Sequence, residues 1–163
     1  MTSGKIASML TLRQSTPEDY ETILEIQRHA YELKEVPLYG ENLPPLQETA
    51  ETLSEEAAAG KQILVGTVNN IVVASMRAQL RPNGELYWGR LSVDPSLQGQ
   101  GLGQAMVQAV ETFFPEAKSF VLDCGVKSEE NNHIYSKFGY VATGETFQVP
   151  NGPLVQVMRK RRT

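Results

Sequence analysis

The chain has 163 residues, 40% hydrophobic and 21% charged, the size of one domain with a sizeable core and an ordinary globular composition. Its net charge of −4 argues against nucleic acid or an anionic membrane as the main partner. A single cysteine excludes an intramolecular disulfide and points to a reducing, cytoplasmic compartment; with only two histidines beside it, no metal site is expected.

From Met1 to Ile6 there is no long apolar stretch of the kind a secretory signal needs, and no later run approaches the roughly 20 apolar residues of a membrane span. Residues 10–14 alternate and predict a first strand. Thr16-Pro17-Glu18-Asp19 is a helix start, with a Thr cap, Pro at the first position and acids in the first turn. Ile23, Leu24, Ile26, Ala30 and Leu33 carry that helix on. Three prolines and Gly40 make 36–45 a loop, and 46–59 reads as a second helix stopped by Gly60. Residues 62–68 and 71–78 flank Asn69-Asn70 as a hairpin. Pro82-Asn83-Gly84 turns into a strand ending at Val93. A helix follows from Leu102 to about Phe114, where Pro115 helps to end it. Then come a strand at 119–124, a helix at 129–138, a strand at 140–149, a Pro150-Asn151-Gly152 turn and a last strand at 154–159. Arg159, Lys160, Arg161 and Arg162 read as a solvated tail rather than a binding patch. Cys124, inside a strand and far from any Cys/His constellation, reads as a packed thiol.

The most informative stretch is Gln98-Gly99-Gln100-Gly101-Leu102-Gly103-Gln104, between the strand ending at Val93 and a helix with apolar period Leu102, Met106, Val107, Val110, Phe113. A glycine-rich turn at a helix N-terminus leaves amides unpaired, and the helix dipole favours negative charge there, so the segment is a phosphate cradle. A P-loop would need Gly-Lys-Ser/Thr, but Gly103 precedes Gln104-Ala105. A dinucleotide fingerprint needs G-x-G-x-x-G, and these glycines alternate. Gln98, Gly101 and Gly103 instead resemble the acetyl-CoA-binding motif of the GCN5-related N-acetyltransferase (GNAT) family: Gln or Arg, two residues, Gly, one residue, Gly or Ala. Downstream, Asn131-Asn132-His133-Ile134-Tyr135-Ser136-Lys137-Phe138-Gly139-Tyr140 is similar to the family's Asn…Tyr-x-x-x-Gly-Phe segment. Many members carry that Asn seven residues before the Tyr, where Ser128 stands here; Asn131, one helical turn before Tyr135, takes the role.

The resemblance covers residues 61–160 well, and element order alone before that. It implies an α/β (α+β) fold with one mixed, mostly antiparallel sheet flanked by helices, order β-α-α-β-β-β-α-β-α-β-β, with 1–163 as one domain. It further implies acetyl transfer from acetyl-CoA to an amine by direct attack in a ternary complex. The pyrophosphate would lie on Gly99, Gln100, Gly101, Leu102, Gly103 and Gln104, and the pantetheine arm along Leu91, Ser92 and Val93, one of whose amides would serve the thioester oxygen. Tyr135 holds the family position for the acid that protonates the departing thiolate. The base stays open among Asp123, Glu85, Tyr87 and a water chain. The family's acceptor pocket normally uses the segment between the first two helices, which here holds Glu32, Glu35, Tyr39, Glu41 and Asn42; Glu35, Tyr39 and Glu41 are its candidate acceptor residues and would suit a cationic amine. A catalytically silent acyl-CoA-binding domain of the same fold is the alternative, and Tyr135 favours the enzyme. Strand edges in this fold often pair, so a homodimer is possible.

Overall fold

The computed structural model describes residues 3–163; Met1 and Thr2, which open the N-terminal stretch discussed above, lie outside them. In chain order the elements are α1 (Ser3–Ala7), β1 (Thr11–Gln14), α2 (Tyr20–Lys34), α3 (Val36–Tyr39), α4 (Ala50–Ala58), β2 (Gln62–Val68), β3 (Ile71–Leu80), β4 (Glu85–Val93), α5 (Leu102–Phe113), β5 (Ser119–Gly125), α6 (Glu129–Lys137), β6 (Val141–Gln148) and β7 (Leu154–Arg161). Short 3-10 turns lie at Pro17–Asp19, Pro44–Leu46 and Pro95–Leu97. The sheet has seven strands in the order β1-β2-β3-β4-β5-β7-β6. Every neighbouring pair is antiparallel except β4–β5.

The expected order is present with two additions, α1 and the single turn α3, both too short for an apolar period to announce. The helix expected from residue 46 begins at Ala50. Pro44–Leu46 closes its own 3-10 turn, and Thr49 is the cap, its hydroxyl accepting the Thr52 amide at 3.3 Å. Thr16, expected to cap the first long helix, caps the 3-10 turn Pro17–Asp19 instead, and Asp19 stands at the cap of α2, accepting the Thr16 amide at 2.8 Å while holding Arg13 at 2.9 Å. Phe114, placed before Pro115, leaves the helical region at ψ 74°, which ends α5.

Helices cover the two faces unequally. On one, α5 and α6 press Leu102, Met106, Val110 and Tyr135 onto Leu86, Trp88 and Phe120 of the sheet. Gly66 in β2 lets α5 approach, since a Cβ there would stand 2.6 Å from Met106 Sδ. On the other face α2 and α4 bring Tyr20, Ile23 and Leu53 against Ile63 and Val65. Beyond β5 that face is open, and β6 is exposed along its whole length as an edge strand.

The basic segment is not a tail. β7 runs on to Arg161, paired with Ser119. Arg159 Nε donates to Glu85 at 3.2 Å, and Lys160 Nζ sits 2.8 Å from Glu111. Arg162 donates to the carbonyls of Ala117 (2.7 Å), Glu111 (2.8 Å) and Phe114 (2.7 Å). The carbonyls at a helix C-terminus lack intrahelical partners and carry partial negative charge, so a cation settles there.

Candidate functional site

The parallel ladder between β4 and β5 is three pairs long: Glu85↔Ser119, Leu86↔Phe120 and Tyr87↔Val121. Past Tyr87 the strands part, and the rest of β4 pairs only with β3. A bulge sharpens the departure. Ser75 pairs with Ser92 and Arg77 with Gly89, so Met76 stands opposite both Arg90 and Leu91, and Arg90 takes φ 54°. The parting opens a cleft of about 500 Å³ that runs from the glycine turn past Leu91, Ser92 and Val93 to Glu35 and Tyr39.

At one end lies the turn. Gly99 and Gly101 have φ of 78° and 79°, a region closed to most side chains, and Gly101 is the cap of α5. The Ala105 amide is the first to find a helical acceptor, the Gly101 carbonyl at 3.0 Å. Among the described residues, the amides of Gly99, Gln100, Gly101, Leu102, Gly103 and Gln104 have no protein acceptor, as the start of a helix requires. Gln98, Gly99, Gly101, Leu102, Gly103 and Gln104 line the cleft. This donor set fits a pyrophosphate. Leu102 itself is buried and anchors the turn to the core.

Midway stands Tyr135, buried to 9% exposure, edge-on to Trp88 at 5.7 Å and Tyr140 at 6.2 Å. Its hydroxyl has no hydrogen-bond partner among the described residues although it borders the cleft, and burial pushes its pKa well above 10. It is therefore a neutral donor at every ordinary pH. Asp123 borders both this cleft and a shallow pocket of about 280 Å³ on the open face of the sheet. Tyr87 donates its hydroxyl hydrogen to Asp123. Burial raises the Asp123 pKa above the usual carboxylate range, and Arg81 opposes that. Glu85 is elsewhere: it does not border the cleft and is held between Arg81 (2.6 Å) and Arg159 (3.2 Å).

At the far end a directed chain of hydrogen bonds ends on Glu35. The Lys127 amide donates to Tyr39 Oη at 3.0 Å, which leaves that hydroxyl to donate to Ser128 Oγ at 2.9 Å. Ser128 Oγ then donates to Glu35 Oε2 at 3.1 Å, and Asn131 Nδ2 to Oε1 at 3.2 Å. Burial raises the Glu35 pKa, and the Ser128 and Asn131 bonds lower it in part. No cation pairs with Glu35 among the described residues. Asn131, expected on the cofactor, borders the cleft and donates to this carboxylate. Glu32, Glu41 and Asn42 are exposed and do not border the cleft. Sequence reasoning missed Ser128 as a partner of Glu35. It also missed Arg77, Glu48 and Arg90, whose buried network no motif signals.

A mixed seven-stranded sheet that parts beside an amide-lined glycine turn defines the acyl-CoA N-acyltransferase fold. A family model described as Acetyltransferase (GNAT) domain matches residues 28–162, and the chain belongs to that family of acetyltransferases. Among solved structures it is similar to the PaiA N-acetyltransferase of Thermoplasma acidophilum in complex with coenzyme A, at 15% identity, covering 94% of this chain and 99% of that one with a TM-score of 0.75. It is also similar to the spermidine N-acetyltransferase of Vibrio cholerae in complex with CoA and spermine, at 17% identity, 94% and 96% coverage and a TM-score of 0.73. RimL, a ribosomal L7/L12 alpha-N-protein acetyltransferase in complex with coenzyme A, aligns at 18% identity, 96% coverage of both chains and a TM-score of 0.72. No curated protein sequence matches the chain. Among the described residues no helix is long and apolar enough to cross a membrane, and no group of three or more His, Cys, Asp or Glu could hold a metal.

Proposed function

We propose that residues 1–163 act as one GNAT domain that transfers the acetyl group of acetyl-CoA to an amine by direct attack in a ternary complex. One observation carries this reading: a single cleft joins the unpaired amides of the glycine turn to the partner-free hydroxyl of Tyr135. The amides of residues 99–104 would hold the pyrophosphate, and the freed edge at Leu91, Ser92 and Val93 the pantetheine amides, with one N–H donating to the thioester oxygen as its charge grows. The amine nitrogen forms a bond to the carbonyl carbon, the C–S bond breaks, and Tyr135 gives its proton to the leaving thiolate. Asp123, or water beside it, accepts the proton lost by the amine. The raised Asp123 pKa and its place between cleft and solvent support that role over Glu85, which two guanidinium groups occupy.

The acceptor is a primary amine that is cationic in solution. A cleft carboxylate oriented by Ser128 and Asn131, with no protein cation beside it, supports Glu35 as the ammonium partner, with Tyr39 on the same wall. The long exposed edge at β6 supports a homodimer, which light scattering tests directly. Buried Cys124 supports a reducing compartment such as the cytoplasm.

Thermal shift with acetyl-CoA, CoA, ATP and NAD, followed by thiol release with a panel of amines, tests the whole reading. Stabilisation by both CoA species and amine-dependent thiol release are expected. Binding without release from any amine would leave the silent acyl-CoA-binding domain.

A further inference from the structure

Arg90 is a non-glycine residue at the left-handed position of a bulge, φ 54°, where glycine is the usual occupant. It also directly precedes Leu91, Ser92 and Val93, the strand edge that faces the cleft. A residue keeps such a backbone only when its surroundings hold it there. Here the hold is visible. Arg90 Nε and NH2 donate to Glu48 Oε2 at 3.3 and 3.2 Å. The other carboxylate oxygen, Oε1, accepts from Arg77 NH2 and Gln27 Nε2, each at 2.7 Å. Arg77 NH1 closes the frame on Gln27 Oε1 at 2.6 Å, and Gln27 Nε2 also reaches the Pro45 carbonyl at 2.9 Å. The Arg77 and Glu48 side chains are 4% and 10% exposed and that of Arg90 34%, so the frame is shielded from solvent on the Arg77 side and the clamped guanidinium lies at its edge.

We propose that Glu48 and Arg90 are positioning residues: the carboxylate of Glu48 clamps the guanidinium of Arg90, and the clamp keeps the bulge in the left-handed form that turns the Leu91-to-Val93 edge toward the cleft. The inference rests on the acetyl-transfer reading for its consequence, though not for its geometry. It also joins the two sides of the site. Glu48 follows the Pro44–Leu46 turn, and Leu43, Pro44 and Pro45 border the cleft near Tyr39, so the acceptor wall and the thioester edge share one buried frame.

The test uses the full chain, with circular dichroism confirming that each variant is folded. Arg90→Ala removes the clamp and keeps the left-handed demand on a residue with a Cβ, so kcat is expected to fall about tenfold or more. Arg90→Gly removes both the clamp and the demand, and kcat is expected to recover to within about threefold of wild type. Glu48→Gln should lower kcat on its own, and by a smaller factor in the Arg90→Gly background, where only its bonds to Arg77 and Gln27 remain to be weakened. A merely structural ion pair predicts lower melting temperatures for Arg90→Ala and Glu48→Gln with kcat near wild type in both. A loss in Arg90→Gly equal to or larger than that in Arg90→Ala overturns the inference. Amide hydrogen exchange in Glu48→Gln gives a readout independent of turnover and of whether Arg90→Ala folds. Faster exchange confined to residues 90–93 supports the clamp, and unchanged exchange there overturns it. A wild-type chain that neither binds CoA nor transfers acetyl would sink the functional reading alone, since the exchange measurement still decides on the clamp.

Discussion

Gly125 lies directly against the phenol of Tyr39: a Cβ built on Gly125 would stand 2.7 Å from Tyr39 Cζ and 2.9 Å from Ser128 Oγ. The last residue of β5 is therefore small so that Tyr39 can reach Ser128 and the Lys127 amide. Gly125→Ala should push the ring aside and break the chain that ends on Glu35. The expected result is a rise of about tenfold in acceptor KM with little change in acetyl-CoA KM, a cost in the ordinary range for overpacking. Steady-state kinetics with both substrates varied checks this; an unchanged acceptor KM removes Tyr39 from the acceptor wall.

Glu35 gives a prediction with a sign in it. Its pKa in the folded chain is raised above 4.5, mainly by burial. Between 4.5 and that raised value the native state binds more protons than the unfolded one, so this group makes stability fall as pH rises through the window. Glu35→Gln removes the ionisation. The variant should gain stability relative to wild type above the window and lose that gain below it, while acceptor KM rises and acetyl-CoA KM stays nearly constant. Thermal melts at pH 4 and pH 7 beside the kinetics read both effects. A variant less stable than wild type at pH 7, relative to pH 4, would contradict the burial argument.

How much of this was open to a reader of the sequence depends on how local each signal is. The glycine turn, its helix and the hairpin turns at Asn69-Asn70 and Asn151 are set by neighbouring residues, so the sequence alone sufficed for them. The ends of α4 were harder, because Thr49 competes as a cap with an apolar period that already starts at Leu46. The Arg90 bulge could not be foreseen, since its partner Glu48 is 42 residues away and arginine is no marker of a left-handed backbone. Arg162 was misjudged for the same reason: its acceptors are backbone carbonyls 45 to 51 residues earlier, and carbonyls have no letter in a sequence. Of the acidic residues between the first helices, only the fold could separate Glu35, which turns to Ser128, from Glu41, which faces solvent.

Tyr135→Phe removes one hydroxyl and almost no contact area, so acetyl-CoA affinity should hold while turnover falls by about 10²- to 10⁴-fold, the usual worth of a general acid. Because burial holds the Tyr135 pKa well above 10, the wild-type rate should show no alkaline loss from this group below pH 10. Single-turnover measurements, which isolate chemistry from product release, decide the matter: a Phe variant with wild-type rates is incompatible with the role.

Gly101 caps α5 at φ 79°, and a Cβ there would lie 3.6 Å from the Ala7 Cβ. Gly101→Val places a branched side chain in a backbone region it resists and beside the amides meant for phosphate. CoA binding by calorimetry should be lost in a variant whose circular dichroism remains native. Retained affinity in the folded variant would move the anion site elsewhere.

The chain's single thiol, Cys124, is buried with its pKa pushed up to about 12, so near neutral pH it is almost wholly protonated and a poor nucleophile. In practical terms the wild-type protein is close to blank toward maleimides and iodoacetamides. A cysteine introduced on the exposed edge, such as Thr143→Cys, would take up a fluorophore or spin label selectively without first removing the native sulfur. Distances between two such labels would then report directly on whether β6 meets its own copy in solution.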